Sequence, residues 1–203
     1  MLETEKELKD KGYNLIACID EVGRGCLAGD VVACAIIMPL DNIVSGVKDS
    51  KKLTPKKREK LYYEILDKAI AVGFGQVSPA IIDQVNIKES TKLAMKKAVE
   101  NMKNKKGEKV TPDYLLIDAE SIPVDIPQES IVKGDEKVYG IACASIVAKV
   151  YRDKLCEKWG SEFKGYSIEK NKGYGTKEHR EAIKKLGPSP IHRMSFLGNI
   201  LNK

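Results

Sequence analysis

Two adjacent carboxylates, Asp20 and Glu21, follow the apolar run of residues 15–19 and stand just before the glycine turn Gly23-Arg24-Gly25. Such charges are costly to remove from water, so a fold by itself gains little from placing them together. Carboxylate oxygens bind divalent cations, whereas an arginine in a glycine turn binds an anion. The pattern therefore indicates a site where a divalent metal and a phosphodiester meet. A polar strand end followed by a tight turn is the alternative.

Two more aspartates stand where they fit the same site. Asp118 ends the apolar run of residues 114–117, as Asp20 ends its own run. Because the ends of neighbouring strands converge at one edge of a sheet, we expect these two side chains to lie close together. A helix N-cap or a surface position is the alternative for Asp118. Asp135 stands just before a predicted helix, where aspartate is a favoured cap, so taken alone it is predicted to be a cap.

The helix predicted over residues 138–159 carries a polar line along the edge of its apolar face. Ser145, Lys149 and Arg152 form this line at the helical repeat of about 100° per residue. We expect Ser145 and Lys149 to contact phosphate oxygens beside the acidic cluster. A solvated helix face is the alternative. Arg152 and Asp153 are expected to form only a local ion pair.

Positive charge is concentrated in segments of the chain. There are 35 Lys and Arg against 29 Asp and Glu, and the basic residues crowd into residues 51–60, 96–109 and 164–185. Lys51 belongs to a basic segment that continues into the first turn of a helix predicted after Thr54, where the helix dipole disfavours cations. Both observations indicate a polyanionic partner.

A tyrosine and two histidines lie in the basic C-terminal region. Tyr174 stands between two glycines in a loop with little to pack against, so its ring is predicted to be exposed and to stack on a sugar or base. His179 and His192 are the chain's only histidines. They are predicted to be surface or capping residues, too isolated from each other to bind a metal as a pair.

Composition is typical of a globular protein of a reducing compartment. The chain has 203 residues, 42% hydrophobic and 32% charged, which suits one domain with a sizeable core. Its five cysteines are odd in number and lack a CxxC pair, so they are predicted to be free, buried thiols. The longest apolar run, residues 31–38, is too short to span a membrane, and the charged N-terminus is unlike a signal peptide. We therefore predict a cytoplasmic protein with no membrane partner.

The predicted elements alternate between strands and helices. Strands are predicted over residues 15–20, 31–38, 71–77, 114–118 and 131–132, the first two as a hairpin. Helices are predicted after Thr54, over residues 86–102 and 138–159, and from about residue 177. The fold class is therefore α/β.

The glycine turn also matches the dinucleotide-binding fingerprint, as Gly23-x-Gly25-x-x-Ala28. In that fold the glycines open a helix whose N-terminus binds pyrophosphate. Here residues 31–37, which follow the turn, are predicted as a strand, and the preceding Asp-Glu pair would repel a pyrophosphate. We therefore reject a nucleotide-binding oxidoreductase.

Six segments, in this order, resemble those of one enzyme family, bacterial type 2 ribonuclease H (ribonuclease HII). They are Asp20-Glu21-Val22-Gly23-Arg24-Gly25, Asp49-Ser50-Lys51-Lys52-Leu53, Asp118, Gly134-Asp135, residues 144–153 and Gly173-Tyr174-Gly175-Thr176. The resemblance implies a ribonuclease H-like mixed five-stranded sheet flanked by helices, with a C-terminal helical segment from about residue 160. Residues 1–12 would be a charged, helical N-terminal extension, and residues 13–203 the catalytic domain.

The resemblance also implies an activity and a catalytic centre. The activity is endonucleolytic hydrolysis of the RNA strand in RNA/DNA hybrids and nicking 5′ of ribonucleotides embedded in duplex DNA, giving 5′-phosphate and 3′-hydroxyl ends. Asp20, Glu21, Asp118 and Asp135 would be the catalytic carboxylates and the ligands of two divalent ions, Mn²⁺ or Mg²⁺. Four carboxylates in one pocket require such cations to offset their mutual repulsion.

The remaining implied roles concern the substrate. Gly23-Arg24-Gly25 would be the turn that reads the ribose, because main-chain groups approach a 2′-hydroxyl only where side chains are absent. Tyr174 would stack on the deoxyribose beyond the ribonucleotide, and Lys51 with the helix residues Ser145 and Lys149 would contact the substrate backbone. The protein is expected to be a monomer. A ribonuclease H-like metal-dependent nuclease acting on DNA and a non-catalytic nucleic-acid-binding protein remain as alternatives.

Overall fold

The computed structural model describes residues 1–201 and contains five strands and nine α-helices in that part of the chain. The strands are β1 (Ile16–Val22), β2 (Val31–Ile37), β3 (Ala71–Val77), β4 (Tyr114–Asp118) and β5 (Gln128–Ile131). The helices are α1 (Glu3–Asp10), α2 (Pro55–Lys68), α3 (Pro79–Val85), α4 (Ile87–Glu100), α5 (Gly134–Lys137), α6 (Tyr139–Glu162), α7 (Ile168–Asn171), α8 (Lys177–Leu186) and α9 (Gly198–Leu201). Short 3₁₀ turns cover Ser50–Lys52 and Met194–Phe196.

The strands form one mixed sheet in the order β3-β2-β1-β4-β5. The strands β1, β2 and β3 pair antiparallel, which confirms the predicted hairpin, whereas β4 joins β1 and β5 in parallel. The mixed five-stranded α/β architecture predicted for the chain is thereby confirmed. The parallel pairing of β1 and β4 brings two acidic strand ends to the same edge of the sheet.

Local sequence signals account for most element boundaries. Thr54 caps α2 by accepting a hydrogen bond from the backbone N–H of Lys57, and Pro55 occupies the first helical position. The apolar runs of β3 and β4 begin and end as predicted. The edge strand β5 begins three residues earlier than predicted, because its polar residues carry no apolar pattern.

The core lies on both faces of the sheet. The long helix α6 packs on one face with α2, and α4 packs on the other face. Side chains of β1 therefore alternate between two cores, with Cys18 facing α6 and Ala17 and Ile19 facing α4. By this alternation Asp20 points to the α6 side of the sheet.

A smaller apolar cluster joins the C-terminal helices to the end of α6. It includes Cys156 of α6, Ile168 of α7 and Ile183 of α8, together with Ala28 from the loop between β1 and β2. This C-terminal unit therefore packs directly behind the loop that follows the acidic pair. The described part of the chain contains no helix with the length and apolarity needed to cross a bilayer.

The predicted local ion pair of Arg152 with Asp153 is wrong. Arg152 is fully buried and donates hydrogen bonds to the carbonyl oxygens of Ala28, Asp30 and Lys172. Asp153 instead accepts from Lys149 Nζ at 2.6 Å. The helical repeat places Arg152 in the polar line, but the C-terminal unit covers that part of α6 and removes the guanidinium from solvent.

The prediction that the two histidines are surface or capping residues, isolated from each other, is also wrong. His179 and His192 have exposed fractions of 0% and 3%, and their Nε2 atoms lie 3.1 Å apart. They are separated by 13 residues in sequence, and the turn after α8 brings them together. Nothing in the local sequence signals this pairing, because it depends on how the C-terminal segment folds back.

Candidate active site

The acidic centre lies where β1 and β4 end side by side. Ile19 pairs with Ile117 in the parallel ladder, so the residues that follow them, Asp20 and Asp118, are neighbours at the sheet edge. Carboxylate oxygens of Asp20, Glu21 and Asp118 all lie within 4.8 Å of one another. The structure thus brings together three of the four predicted carboxylates.

The electrostatics of this cluster favour cation binding. Burial, followed by the charge of Glu21, raises the pKa of Asp20 well above its usual range. Burial also raises the pKa of Glu21, although Arg24 opposes that shift, and raises the pKa of Asp118 against the hydrogen bond from Gly134. Each carboxylate is therefore costly to ionise without a nearby positive charge.

The residues fit a hard divalent metal such as Mg²⁺ or Mn²⁺. All the converging donors are carboxylate oxygens, the ligand type that these ions prefer. The Oε2 atom of Glu21 is buried and has no hydrogen-bond partner within the described residues. A buried anionic oxygen without a partner is unfavourable, and a bound cation would satisfy it.

Asp135 lies close to this cluster but outside the group of three. It is 8% exposed, lines the same cavity, and its Oδ2 lies 3.6 Å from Lys51 Nζ. It occupies the first turn of the separate short helix α5, whereas the N-cap of α6 is Val138. The position of Asp135 in the sequence, taken alone, predicted a cap of the long helix; the structure shows that it does not cap this helix.

The acidic residues around Lys51 change the pKa of its ammonium group. The Lys51 side chain is exposed; slight desolvation lowers its pKa, but Asp135, Asp49 and Asp20 outweigh that effect and raise the pKa above its usual value. The ammonium group remains charged at neutral pH and faces the cavity beside the carboxylates.

The four carboxylates open into one cavity of about 160 Å³. Its wall also holds the predicted substrate residues Lys51, Ser145, Lys149 and Tyr174. Sequence reasoning did not single out three further lining residues, Val22, Ser50 and Arg58. The cavity is therefore acidic at its centre and basic or hydroxyl-bearing along its wall.

Ser50 and Arg58 are organised by the turn before α2. Ser50 Oγ lies 3.0 Å from Ser145 Oγ, and Arg58 donates to the carbonyl oxygens of Ser50 and Leu53. Lys149 pairs with Asp153, which also lies 4.0 Å from Arg58. The only sequence signal for Arg58 was its place in the basic segment around the start of the helix, which gave no role to a particular residue.

The two glycines of the turn differ in their backbone conformation and in the space around them. Gly23 has φ +93°, and a Cβ there would lie 2.3 Å from Arg152 Nε, so the fold itself requires glycine. Gly25 lacks a positive φ, and a Cβ there would meet no atom within 4 Å. Between them, Arg24 lies 3.5 Å from Glu21 and 3.6 Å from Glu120. Open space at Gly25 is available to a ligand.

Tyr174 lies at the rim of the cavity. Its side chain is 41% exposed, as the flanking glycines predicted. Gly173 has φ +83° and its carbonyl accepts a hydrogen bond from the backbone N–H of Leu27, so the Tyr174 loop rests on the segment after the glycine turn. The Tyr174 loop is thus hydrogen-bonded to the chain two residues after the glycine turn.

The fold is thus a mixed sheet in which two neighbouring strand ends carry carboxylates, and it is covered by a long helix whose Ser145 and Lys149 line the same cavity. A family model described as Ribonuclease HII matches residues 17–198. The chain therefore belongs to the ribonuclease HII family.

Similar proteins agree with this assignment. A ribonuclease HII of Alkaliphilus oremlandii is 58% identical over 98% of each chain. That of Bacillus subtilis is 47% identical over 97% of this chain and 74% of its own. The crystal structure of a ribonuclease H2 from Pyrococcus horikoshii superposes with a TM-score of 0.76 at 25% identity, covering 93% of this chain and 98% of that one.

Family membership establishes the class of reaction. The chain is a ribonuclease H, an endonuclease that hydrolyses the RNA strand of RNA/DNA hybrids. The family is metal-dependent, in agreement with the acidic cluster. These relationships decide against the DNA-specific nuclease and the non-catalytic binding protein considered as alternatives.

Proposed function

We propose that Asp20, Glu21, Asp118 and Asp135 are the catalytic carboxylates and hold two divalent ions, Mn²⁺ or Mg²⁺. The convergence of three carboxylates within 4.8 Å of one another, one of which has a buried oxygen without a hydrogen-bond partner in the described residues, is the observation that carries this proposal. When bound, the ions supply activation of the attacking water and stabilisation of the leaving 3′-oxygen. Asp20 and Glu21 bind from β1, Asp118 from β4, and Asp135 from α5.

The walls of the cavity bind the nucleic-acid backbone. Lys51 and Lys149 attract phosphate, and the Ser145 hydroxyl offers a hydrogen bond beside the acidic centre. Support comes from their position in the same cavity as the carboxylates. Of the polar line predicted on α6, Ser145 and Lys149 line the cavity, whereas Arg152 is buried in the core.

Two elements recognise the junction between ribonucleotide and deoxyribonucleotide. The turn Gly23-Arg24-Gly25 contacts the ribose 2′-hydroxyl, and the open space beside Gly25 supports this role. Tyr174 stacks on the next sugar, supported by its exposed ring at the cavity rim. The enzyme nicks 5′ of single ribonucleotides in duplex DNA and leaves 5′-phosphate and 3′-hydroxyl ends.

The proposal extends to the organisation of the chain. Residues 1–12 form an N-terminal extension and residues 13–203 a catalytic domain, of which residues 202 and 203 lie outside the described part. The protein acts as a monomer in the cytoplasm, where five free, buried cysteines are compatible with a reducing environment.

A nicking assay tests the proposal. Purified protein is incubated with a DNA duplex that carries one ribonucleotide, with Mn²⁺, with Mg²⁺ or with a chelator, and the ends are identified on a sequencing gel. We expect a single nick 5′ of the ribonucleotide in the presence of metal only. Asp20→Asn is the matched inactive control. Equal cleavage of an all-deoxy duplex, or cleavage by the Asp20 variant at the normal rate, would contradict the proposal.

A further inference from the structure

His192 and Arg193 are sequence neighbours whose side chains reach two different loops of the active site. They lie between α8 and the 3₁₀ turn Met194–Phe196, with exposed fractions of 3% and 0%. His192 reaches the Tyr174 loop through His179, while Arg193 reaches the turn at Gly23. One short segment therefore connects the two elements proposed to read the substrate junction.

The two histidines form a chain of hydrogen bonds with a defined direction. The backbone N–H of Ser189 donates to Nδ1 of His192 over 3.0 Å, so this nitrogen is an acceptor. In a neutral ring the other nitrogen then carries the proton, and His192 Nε2 donates to His179 Nε2 over 3.1 Å. His179 Nδ1 donates in turn to the carbonyl oxygen of Tyr174 over 2.9 Å. The chain ends on the backbone of the stacking residue.

This arrangement requires both rings to be neutral, because a proton added to either ring would set two N–H groups face to face. Burial and then the neighbouring His179 lower the pKa of His192 to about 4, and burial lowers that of His179. The ring of Tyr166 packs against His192 with centroids 4.7 Å apart. The direction of the chain is therefore fixed at neutral pH.

Arg193 holds the glycine turn through its carbonyl groups. Its Nη2 donates to Gly23 O over 2.7 Å, its Nη1 to Arg24 O over 2.8 Å, and its Nε to Gly29 O over 3.0 Å. Within residues 1–201 no carboxylate lies at ion-pair distance from this guanidinium. The planar fork of donors fixes the orientation of the peptide groups that it contacts. Arg193 thus orients the backbone carbonyl groups of the turn and does not neutralise a carboxylate.

We propose that His192 and Arg193 are positioning residues that set the geometry of the Tyr174 ring relative to the Gly23-Arg24-Gly25 turn and so determine the preference for a ribonucleotide followed by a deoxyribonucleotide. This inference rests on the proposed substrate roles of Tyr174 and the turn. Neither positioning residue lines the catalytic cavity. The competing explanation is that both side chains only stabilise the C-terminal unit.

The measured quantity is a selectivity ratio, kcat/KM on a duplex with one ribonucleotide divided by kcat/KM on a long RNA/DNA hybrid. His192→Gln keeps an N–H donor near the position of Nε2. His192→Asn places its shorter amide near Nδ1, where its oxygen can accept from the Ser189 N–H but no donor reaches His179. Both variants lose the same ring. We expect His192→Asn to lower the ratio roughly 3- to 10-fold and His192→Gln to keep it within about twofold, since one hydrogen bond distinguishes them.

Arg193→Lys tests the second contact, because it keeps the charge and loses the fork. We expect a decrease of the ratio of roughly 3- to 10-fold. Tyr166→Phe is the control within the same unit: it removes one hydrogen bond to the carbonyl of Gly187 and keeps the ring, so it should leave the ratio unchanged. If Arg193→Lys does not fold, the His192 pair decides.

The double variant His192→Asn with Tyr174→Ala separates this inference from the proposed function. If His192 acts through Tyr174, the double variant has the same ratio as Tyr174→Ala alone. Equal ratios for the two His192 variants and the Tyr166 control would overturn the inference while leaving the proposed function intact. An unchanged ratio for Tyr174→Ala itself would overturn the proposed role of Tyr174 and, with it, the role of His192.

Discussion

The Oδ1 atom of Asp118 accepts a hydrogen bond from the backbone N–H of Gly134 at 2.7 Å. This contact joins the end of β4 to the first residue of α5, and Asp135 follows directly. A Cβ on Gly134 would lie 3.2 Å from the same Oδ1 and 2.6 Å from Ile141, so glycine permits the close approach. The Asp118 carboxylate thus both belongs to the acidic cluster and contacts the start of the helix that carries Asp135.

Asp118→Asn should abolish cleavage and leave the protein folded. The amide keeps the side-chain volume and an oxygen for the Gly134 N–H, but it loses the negative charge that we propose binds the metal. Because carboxylate repulsion is relieved, the metal-free Tm should stay equal or rise. Differential scanning with and without Mn²⁺ gives a second readout, since the metal-induced rise in Tm should be smaller in the variant. Near-normal nicking at saturating metal would remove Asp118 from the site.

Asp135→Asn should reduce turnover severely with little change in stability. Asparagine suits a helix start about as well as aspartate, so a purely structural role would leave the rate unchanged. Glu136→Gln is the matched control, because Glu136 is in the same short helix but pairs with Lys52 at 3.0 Å outside the cavity. Both variants are compared by single-turnover rates at saturating metal. Equal rates for the two variants would return Asp135 to a structural role.

Tyr174→Ala should weaken nicking at a single embedded ribonucleotide more than cleavage of a long RNA/DNA hybrid. Stacking is worth about 1–3 kcal/mol per contact, which corresponds to roughly a 5- to 150-fold loss in kcat/KM on the junction substrate. Tyr174→Phe keeps the ring and should keep the selectivity. Equal losses on the two substrates would mean that Tyr174 only maintains the loop.

Glu5→Gln should change the pH dependence of stability. Glu5 is buried in α1, its Oε1 accepts from the N–H of Gly140 at 2.8 Å, and its Oε2 has no partner in the described part of the chain. Burial raises its pKa from 4.5 to about 7. A carboxyl with a raised folded-state pKa stabilises the fold below its unfolded pKa and loses that contribution as the pH rises through the folded value.

The stability of the wild-type protein should therefore fall relative to Glu5→Gln as the pH rises from 4.5, the unfolded value, to about 7, and the difference should stay level above that. A shift of this size corresponds to about 3 kcal/mol, or roughly 5–10 °C in Tm. Glu7→Gln, on the exposed side of the same helix, should show no such divergence. Parallel Tm curves for wild type and Glu5→Gln across this range would show that Glu5 has an ordinary pKa.

Several features were determined by the sequence alone, because they depend on neighbouring residues. The helix start at Thr54 follows from a cap and a proline that act within one turn. The strands β3 and β4 follow from short apolar runs with polar flanks. The expectation that Asp20 and Asp118 meet is confirmed, because both end buried strands and the parallel register carries them to the same edge.

Other features were decided only by the tertiary structure, because their causes lie far apart in the chain. Arg193 contacts Gly29 across 164 positions, and Arg152 contacts Ala28 across 124. As isolated residues each resembles a surface arginine, and only the carbonyl groups of a distant loop make its burial favourable. The pair His179 and His192 likewise exists only after the C-terminal unit has folded onto that loop. The sequence therefore specified the carboxylates at the strand ends, whereas long-range packing decided which buried side chains hold the loops around them.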